Sequence, residues 1–390
     1  MLSLSVVIPC LNEAVTIAAC ISKAKQVALD LDLEHFEIII ADNGSVDGSQ
    51  KIAAAAGAKI IDVKERGYGA ALDAGIREAK YEWVIFADAD SSYDFSEIHS
   101  FVPLMNGEND LIIGNRYKGK IQKGAMPMLH RYVGTPVLSF IGRRSFHVSL
   151  GDFNCGMRAI KKSVYQSLGM RSRGMEFASE MIAKASMKHL KIAEVPINLY
   201  KDGRGRKPHL KTWSDGWKHL KLMLLLSPKW LLLYPSLFFI IIGFLLGAAL
   251  IFNYVRLFNL VLDIHTLYYA SVMFLVGFQL LQFYILARLY GSSRGLYPSR
   301  KFSKMVYKLL AFEKALISGF IIFCFGGLLS LYAIYKWHQA NFGELDPVYI
   351  FRIIIPAGFC ISTGMQVIVF GFLLYTFRQL SGDQLMGKAG

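Results

Sequence analysis

The first part of the chain alternates short apolar runs with amphipathic stretches, and the last part replaces that alternation with long continuous apolar segments. Ser3 to Pro9 is rich in Val and Ile, is closed by Pro9, and leads through Leu11-Asn12-Glu13 into a helical pattern reaching about Ala28. Phe36 to Ala41 predicts a second strand, Lys59 to Val63 a third, Trp83 to Phe86 a fourth and Leu111 to Ile113 a fifth. Strands alternating with helical stretches predict a mostly parallel sheet covered by helices. Polar clusters follow these strands: Asp42-Asn43-Gly44-Ser45 with Asp47, then Asp88-Ala89-Asp90. A doubly wound sheet places its ligands at that edge.

Beyond Asn115-Arg116 the pattern changes. Residues 130–146 set Val133, Val137, Phe140 and Ile141 on one helical face, with Arg131, Arg143 and Arg144 near the ends. Residues 212–226 repeat the theme with Trp213, Trp217, Leu220 and Leu224 beside lysines. Either could be an ordinary core helix, but the second runs directly into an apolar segment, which favours helices lying in a membrane interface. Four segments near 230–252, 267–287, 315–335 and 353–375 are each long enough to cross the hydrocarbon core. The division expected is a globular domain over 1–225 and a transmembrane domain over 226–390. Arg294, Arg300, Lys301, Lys304 and Lys308 fall between the second and third spans, and Glu344 and Asp346 after the third. Retention of positive loops in the cytosol predicts a cytosolic globular domain and cytosolic termini. The membrane would be the plasma membrane in a bacterium or archaeon, and the endoplasmic reticulum in a eukaryote.

The net charge of +14 calls for an anionic partner. Nucleic acid, an anionic membrane surface and a phosphorylated substrate all qualify, and the apolar second part favours the last two over nucleic acid. The five cysteines form no Cys-x-x-Cys pair, which argues against a zinc site or a disulfide framework and suits a reducing cytosol. The apolar run at the start lacks a basic leader and a small-residue cleavage site, so it reads as a strand and not as a signal peptide. Self-association of the chain is left open.

Two carboxylates spaced two apart on an extended segment point to the same side and can hold a hard divalent cation carrying phosphates. Alone, Asp88 and Asp90 are as readily a solvated turn or a helix cap. Three more motifs precede them in order: Val7-Ile8-Pro9-Cys10-Leu11-Asn12-Glu13, Asp42-Asn43-Gly44-Ser45 with Asp47, and Arg66-Gly67-Tyr68-Gly69-Ala70-Ala71. Together, across about the first 120 residues, they resemble the family 2 glycosyltransferases of the GT-A fold, a Rossmann-like, mostly parallel α/β architecture. The resemblance implies a nucleotide-sugar donor bound by Pro9, Asn12, Glu13, Asp42 and Ser45. It also implies that Gly67 and Gly69 let backbone approach the donor, and that Asp88 and Asp90 hold Mg²⁺ or Mn²⁺ on its diphosphate.

A narrower resemblance, to polyprenyl-phosphate glycosyltransferases of the dolichyl-phosphate mannose synthase type, is carried by several stretches. They are Gly114-Asn115-Arg116, Asp152 to Arg158, Glu176-Phe177 with Glu180, and Arg204-Gly205-Arg206-Lys207. Ser92 stands where members often carry Gln, and Gly205-Arg206-Lys207-Pro208 replaces a Gly-x-Ser-Lys. A phosphate monoester has a second pKa of about 6, so such an acceptor is already an anionic nucleophile and needs cations more than a base. Arg116, Arg131, Arg204, Arg206 and Lys207 are the candidate cations, and Asp152 positions the acceptor or serves as base if the acceptor is a hydroxyl. Transfer to a lipid hydroxyl is the alternative within the same chemistry. A processive polymer synthase is disfavoured, because no Gln-x-x-Arg-Trp occurs between Phe177 and Trp230. A non-catalytic membrane scaffold or lipid translocator is the alternative of another class.

Overall fold

The computed structural model describes residues 2–33, 35–205, 212–293 and 300–380. Arg206, Lys207 and Arg294, and the side chains of Trp213, Arg300 and Lys301, lie outside the described residues. The chain divides into two compact units, residues 1–227 and 228–390.

In the first unit a seven-stranded sheet has β1 (Ser3–Cys10) near its middle, because Leu4 to Cys10 is buried almost without interruption. Around it run β2 (His35–Asp42), β3 (Lys59–Asp62), β4 (Trp83–Phe86), β5 (Leu111–Asn115), β6 (Arg158–Lys161) and β7 (Ile192–Pro196). Their order is β3-β2-β1-β4-β6-β5-β7. The pairs among β1 to β4 are parallel, as is β5 with β7, whereas β6 is antiparallel to both of its neighbours. Helices α1 (Ile17–Asp30), α2 (Ser49–Ala55), α3 (Tyr68–Glu78) and α4 (Ile98–Met105) provide the first crossovers. The expected mostly parallel α/β sheet is present.

The reversed strand is what completes the site. Arg158 pairs with Phe86 and Ile113, so the stretch before β6 enters the sheet from the same edge at which β4 and β5 leave it. Neither β6 nor β7 is legible in the hydrophobic pattern, since each is short and interrupted by charge or proline.

Helix α5 (Thr135–Phe146) follows one π turn at His130–Gly134, and α6 (Lys162–Leu168), α7 (Phe177–Met187) and α8 (Thr212–Leu226) complete the unit. The amphipathicity of α5 is inverted relative to a core helix. Its buried face is mostly small or polar, Thr135, Ser139 and Gly142 with Phe146 at the end, while Val137 and Phe140, and Tyr132 and Val133 of the preceding turn, are exposed. Ser139 Oγ accepts from Phe153 N at 3.2 Å. Helix α8 buries His219, Met223 and Leu226, with His219 Nδ1 2.8 Å from Ser179 Oγ, and leaves Trp217 and Leu225 outward.

The second unit contains α9 (Tyr234–Leu250), a hairpin of β8 (Val255–Leu257) and β9 (Leu260–Leu262), α10 (Ile264–Ser293), α11 (Arg300–Leu309), α12 (Phe312–Gln339) and α13 (Pro347–Leu380). The four expected spans fall on four helices long and apolar enough to cross a membrane, at Lys229–Leu250, Ile264–Ser293, Phe312–Gln339 and Pro347–Leu380. The first ends two residues earlier than the hydrophobic pattern and the other three run past it at both ends. Helices α12 and α13 meet through glycines: a Cβ on Gly364 would lie 2.6 Å from Gly319 O. Small residues let backbones approach where lipid tails provide no hydrophobic drive between helices.

Candidate active site

The site forms at the carboxyl edge of β1, β2, β4 and β5. After β1 the chain turns sharply, with Asn12 in the left-handed region at φ 59°. This turn is stitched to the loop after β2: Asn12 N donates to Ser45 Oγ at 2.8 Å, Val46 N to Asn12 Oδ1 at 2.8 Å, and Glu13 N to Ser49 Oγ at 2.8 Å. Pro9, Asn12, Glu13, Asp42 and Ser45 are thus gathered, with Pro9 buried in register with Ala41. Asp42 Oδ2 accepts from Gly44 N, Ser45 N and Gln50 Nε2, and its buried Oδ1 has no hydrogen-bond partner among the described residues. Burial pushes this carboxyl up, but the hydrogen bonds from Ser45, Gln50 and Gly44 outweigh it and hold the group below its ordinary range.

Asp90, 8% exposed, accepts from Ser92 N at 2.9 Å and Ser92 Oγ at 2.5 Å through Oδ1. Ser92 therefore orients the carboxylate. Asp88 keeps a buried Oδ1 without a hydrogen-bond partner among the described residues. Burial, then the neighbouring Asp90 charge, push its carboxyl up to about 6, against a hydrogen bond from Tyr68 and the charges of Arg204 and Arg116. Asp94 caps the following turn by accepting from Ser96 N at 3.0 Å.

On the opposite wall, Arg116 leaves β5 and is clamped by Asp152, with Nε 2.6 Å from Oδ2 and Nη2 2.8 Å from Oδ1. Arg116 is 9% exposed and Asp152 fully buried. Asp152, expected to position the acceptor or to serve as base for a hydroxyl acceptor, has both of its oxygens engaged by the Arg116 guanidinium. Tyr93 joins the two walls: its hydroxyl accepts from Gly156 N at 2.8 Å and Arg116 Nη1 at 3.4 Å. A Cβ on Gly156 would sit 3.0 Å from Asp88 Oδ2, so that glycine admits the loop to the carboxylate pair. Tyr93 is a site residue absent from the motifs above, and its place three residues after Asp90 is the only signal the sequence carries for it.

Two expectations are corrected. Gly67 and Gly69 do permit a close approach, but by this chain's own 172–174 loop. A Cβ on Gly67, at φ 139°, would lie 2.1 Å from Arg173 O, and one on Gly69 would lie 2.6 Å from Ser172 O. Glu180 on α7 holds that loop, accepting from Ser172 N at 2.7 Å and pairing with Lys184 at 2.6 Å. Arg204, expected at the acceptor phosphate, instead pairs with Asp90 Oδ2 and lies 3.4 Å from Glu13 Oε2 on the donor wall. Arg131 stacks on the Tyr132 ring at 5.5 Å and has no carboxylate partner among the described residues. Burial and the Arg116 charge hold His130 below its ordinary range.

Residues 5–169 match the model of glycosyl transferase family 2, and residues 285–378 match that of the family 2 C-terminal transmembrane region. A low-salt glycan biosynthesis hexosyltransferase of Haloferax volcanii is 32% identical over 378 residues, covering 95% of this chain and 88% of the relative. The chain belongs to glycosyltransferase family 2. It is a membrane glycosyltransferase with a GT-A catalytic domain. A dolichyl-phosphate hexose transferase of Haloferax volcanii is 29% identical over 163 residues, 41% of this chain and 68% of that relative. Among solved structures, glucosyl-3-phosphoglycerate synthase from Mycobacterium tuberculosis, in complex with Mn²⁺, uridine diphosphate and glucosyl-3-phosphoglycerate, has a TM-score of 0.46 at 22% identity. That similarity covers 57% of this chain and 78% of the other.

Proposed function

We propose that the transferase moves a hexose from a nucleotide sugar to a polyprenyl phosphate, with inversion at the anomeric carbon. One observation carries the reading: the Asp88–Asp90 carboxylates and the Asp152-clamped Arg116 share one sheet edge, bridged by Tyr93. An acidic wall suited to a cation-bound diphosphate faces a cationic wall suited to an anionic acceptor. The neighbouring α5, with its apolar face outward and Arg131 at its start, supports an acceptor presented from the membrane interface.

On the donor side, Asn12 and Glu13 and the unpaired Asp42 Oδ1 form the nucleoside pocket. Ser45 braces it from behind. Asp88 and Asp90 are two convergent carboxylates with an orphaned oxygen, and no third His, Cys, Asp or Glu joins them among the described residues. That set fits a hard cation whose remaining ligands come from a diphosphate and water. Mg²⁺ or Mn²⁺ held there would supply Lewis-acid stabilisation of the departing diphosphate. Arg204 must then leave Asp90, which frees its guanidinium for phosphate oxygens.

On the acceptor side, Arg116 and Arg131 draw the lipid phosphate beside the donor. A phosphate oxygen, already anionic at neutral pH, attacks the anomeric carbon as the bond to the diphosphate oxygen breaks through an oxocarbenium-like transition state. The nucleoside diphosphate leaves with the electron pair. No proton has to be removed, which accords with an Asp152 that positions Arg116 and takes no proton itself. A hydroxyl acceptor would need a base that this wall does not supply.

The test is to offer labelled UDP- and GDP-sugars with a short polyprenyl phosphate to the purified full chain. A lipid product labile to mild acid, absent with Asp90→Ala, is expected. An acid-stable glycolipid would move the acceptor to a hydroxyl, and silence with every donor would revive the scaffold reading.

A further inference from the structure

The second unit carries polar side chains that sugar transfer does not use. A cavity of about 610 Å³ opens between α10, α12 and α13, walled by apolar groups such as Phe283, Phe323, Met365 and Phe370. Gln279, Gln282, Ser362 and Gln366 also line it. Gln282 is 6% exposed and its Nε2 has no hydrogen-bond partner among the described residues, and Gln366 Oε1 is likewise without one. At about 1.5 Å per residue, Gln282 and Gln366 stand roughly 16 and 21 Å from the C-terminal ends of their helices, inside the apolar spans. An amide hydrogen or oxygen left unpaired in hydrocarbon costs several kcal/mol, so the sequence tolerates a penalty here that Leu at either position would remove.

We propose that this cavity binds an uncharged lipid alcohol, whose hydroxyl satisfies the Gln282 and Gln366 amides while its chain lies against the apolar wall. The lining selects the ligand class. No Lys, Arg or His is among the lining residues, so a phosphorylated headgroup would find no counter-charge. A bare hydrocarbon would leave both amide atoms unpaired. A hydroxyl both donates and accepts, and so meets either end of an amide. Phe283, Val369 and Leu373 are at least 44% exposed, so the mouth is reached from the lipid phase and not from water. A polyprenol and a diacylglycerol both present this chemistry at that depth. The proposal does not depend on which acceptor receives the sugar.

The experiment uses the full-length protein in nanodiscs with a photoreactive polyprenol, a photoreactive diacylglycerol, and the methyl ether of each. The free alcohol of one class should label peptides from α10 and α13, and the class that labels identifies the source. Gln282→Leu and Gln366→Leu should each reduce labelling about tenfold, the loss of roughly one hydrogen bond in an apolar site. Gln282→Leu should also raise the unfolding temperature when no lipid alcohol is present, which separates a lost contact from a lost fold. Equal labelling by alcohol and ether, labelling unchanged in both variants, or labelling outside these helices would overturn the proposal. So would disulfide-linked dimers of Ser362→Cys formed at the expense of labelling, since the occupant would then be a second copy of the chain.

Discussion

The metal role proposed for Asp88 would couple stability to function at the level of a single carboxyl. Its folded pKa of about 6 lies above the ordinary carboxylate value, so the folded protein favours the protonated form. The stability this contributes is fully present below about pH 4 and is lost as pH rises through about 6. Metal-free Asp88→Asn is therefore expected to unfold at a higher temperature than the parent at pH 7.5, while losing transfer activity. Titration of the parent with Mn²⁺ should show affinity falling about tenfold per unit below pH 6, because the cation displaces a proton. Affinity that stays flat between pH 7.5 and 5 would remove Asp88 from the metal site. The Arg116–Asp152 pair makes a separate prediction. Asp152→Asn leaves a buried guanidinium without its counter-charge and should cost about 3 kcal/mol in chemical unfolding. Asp152 and Arg116 were each legible as candidate site residues, but their pairing was not, since 36 residues separate the two in the chain.

At the scale of elements, Gly67 and Gly69 at the start of α3 show how a motif can be read correctly and assigned the wrong neighbour. Both need to be glycine because a carbonyl passes over them, and the carbonyls belong to Arg173 and Ser172. Gly67→Ala should therefore destabilise the protein by about 2 kcal/mol or more without any donor present, from left-handed strain plus displacement of the 172–174 loop. A variant of unchanged stability with only a raised donor KM would return the close approach to the donor. Helix α5 yields the opposite pairing of effects. Val137→Asp and Phe140→Asp alter exposed positions, so folding should be unaffected, whereas activity on acceptor presented in vesicles should fall several-fold relative to acceptor in detergent. Equal loss in both media would make α5 a structural helix.

For the whole molecule, two compact units follow one another along the chain, a GT-A sheet and a set of four apolar helices. We propose that catalysis takes place on the cytosolic side, from the contrast between Lys304 and Lys308 on α11 and Glu344 and Asp346 after α12. Cysteine substitution at Lys304 and Glu344 tests this: a membrane-impermeant thiol reagent applied outside intact cells should label only the second.

The sequence by itself determined the elements whose signal is local. Burial writes β4 as an unbroken apolar run and β1 and β2 as mostly apolar ones, and the hydrocarbon thickness writes the spans as segments of about twenty apolar residues. It also determined which residue types cluster after the strands, because turn and capping chemistry is read within a few positions. The tertiary structure alone decided which of those residues face each other. One antiparallel strand, β6, brings Asp152 and Gly156 to the edge where Asp88 and Arg116 already stand, and the 172–174 loop fills the space above Gly67 and Gly69. Strand direction and loop closure depend on contacts between positions tens of residues apart, and a hydrophobic period carries no record of them.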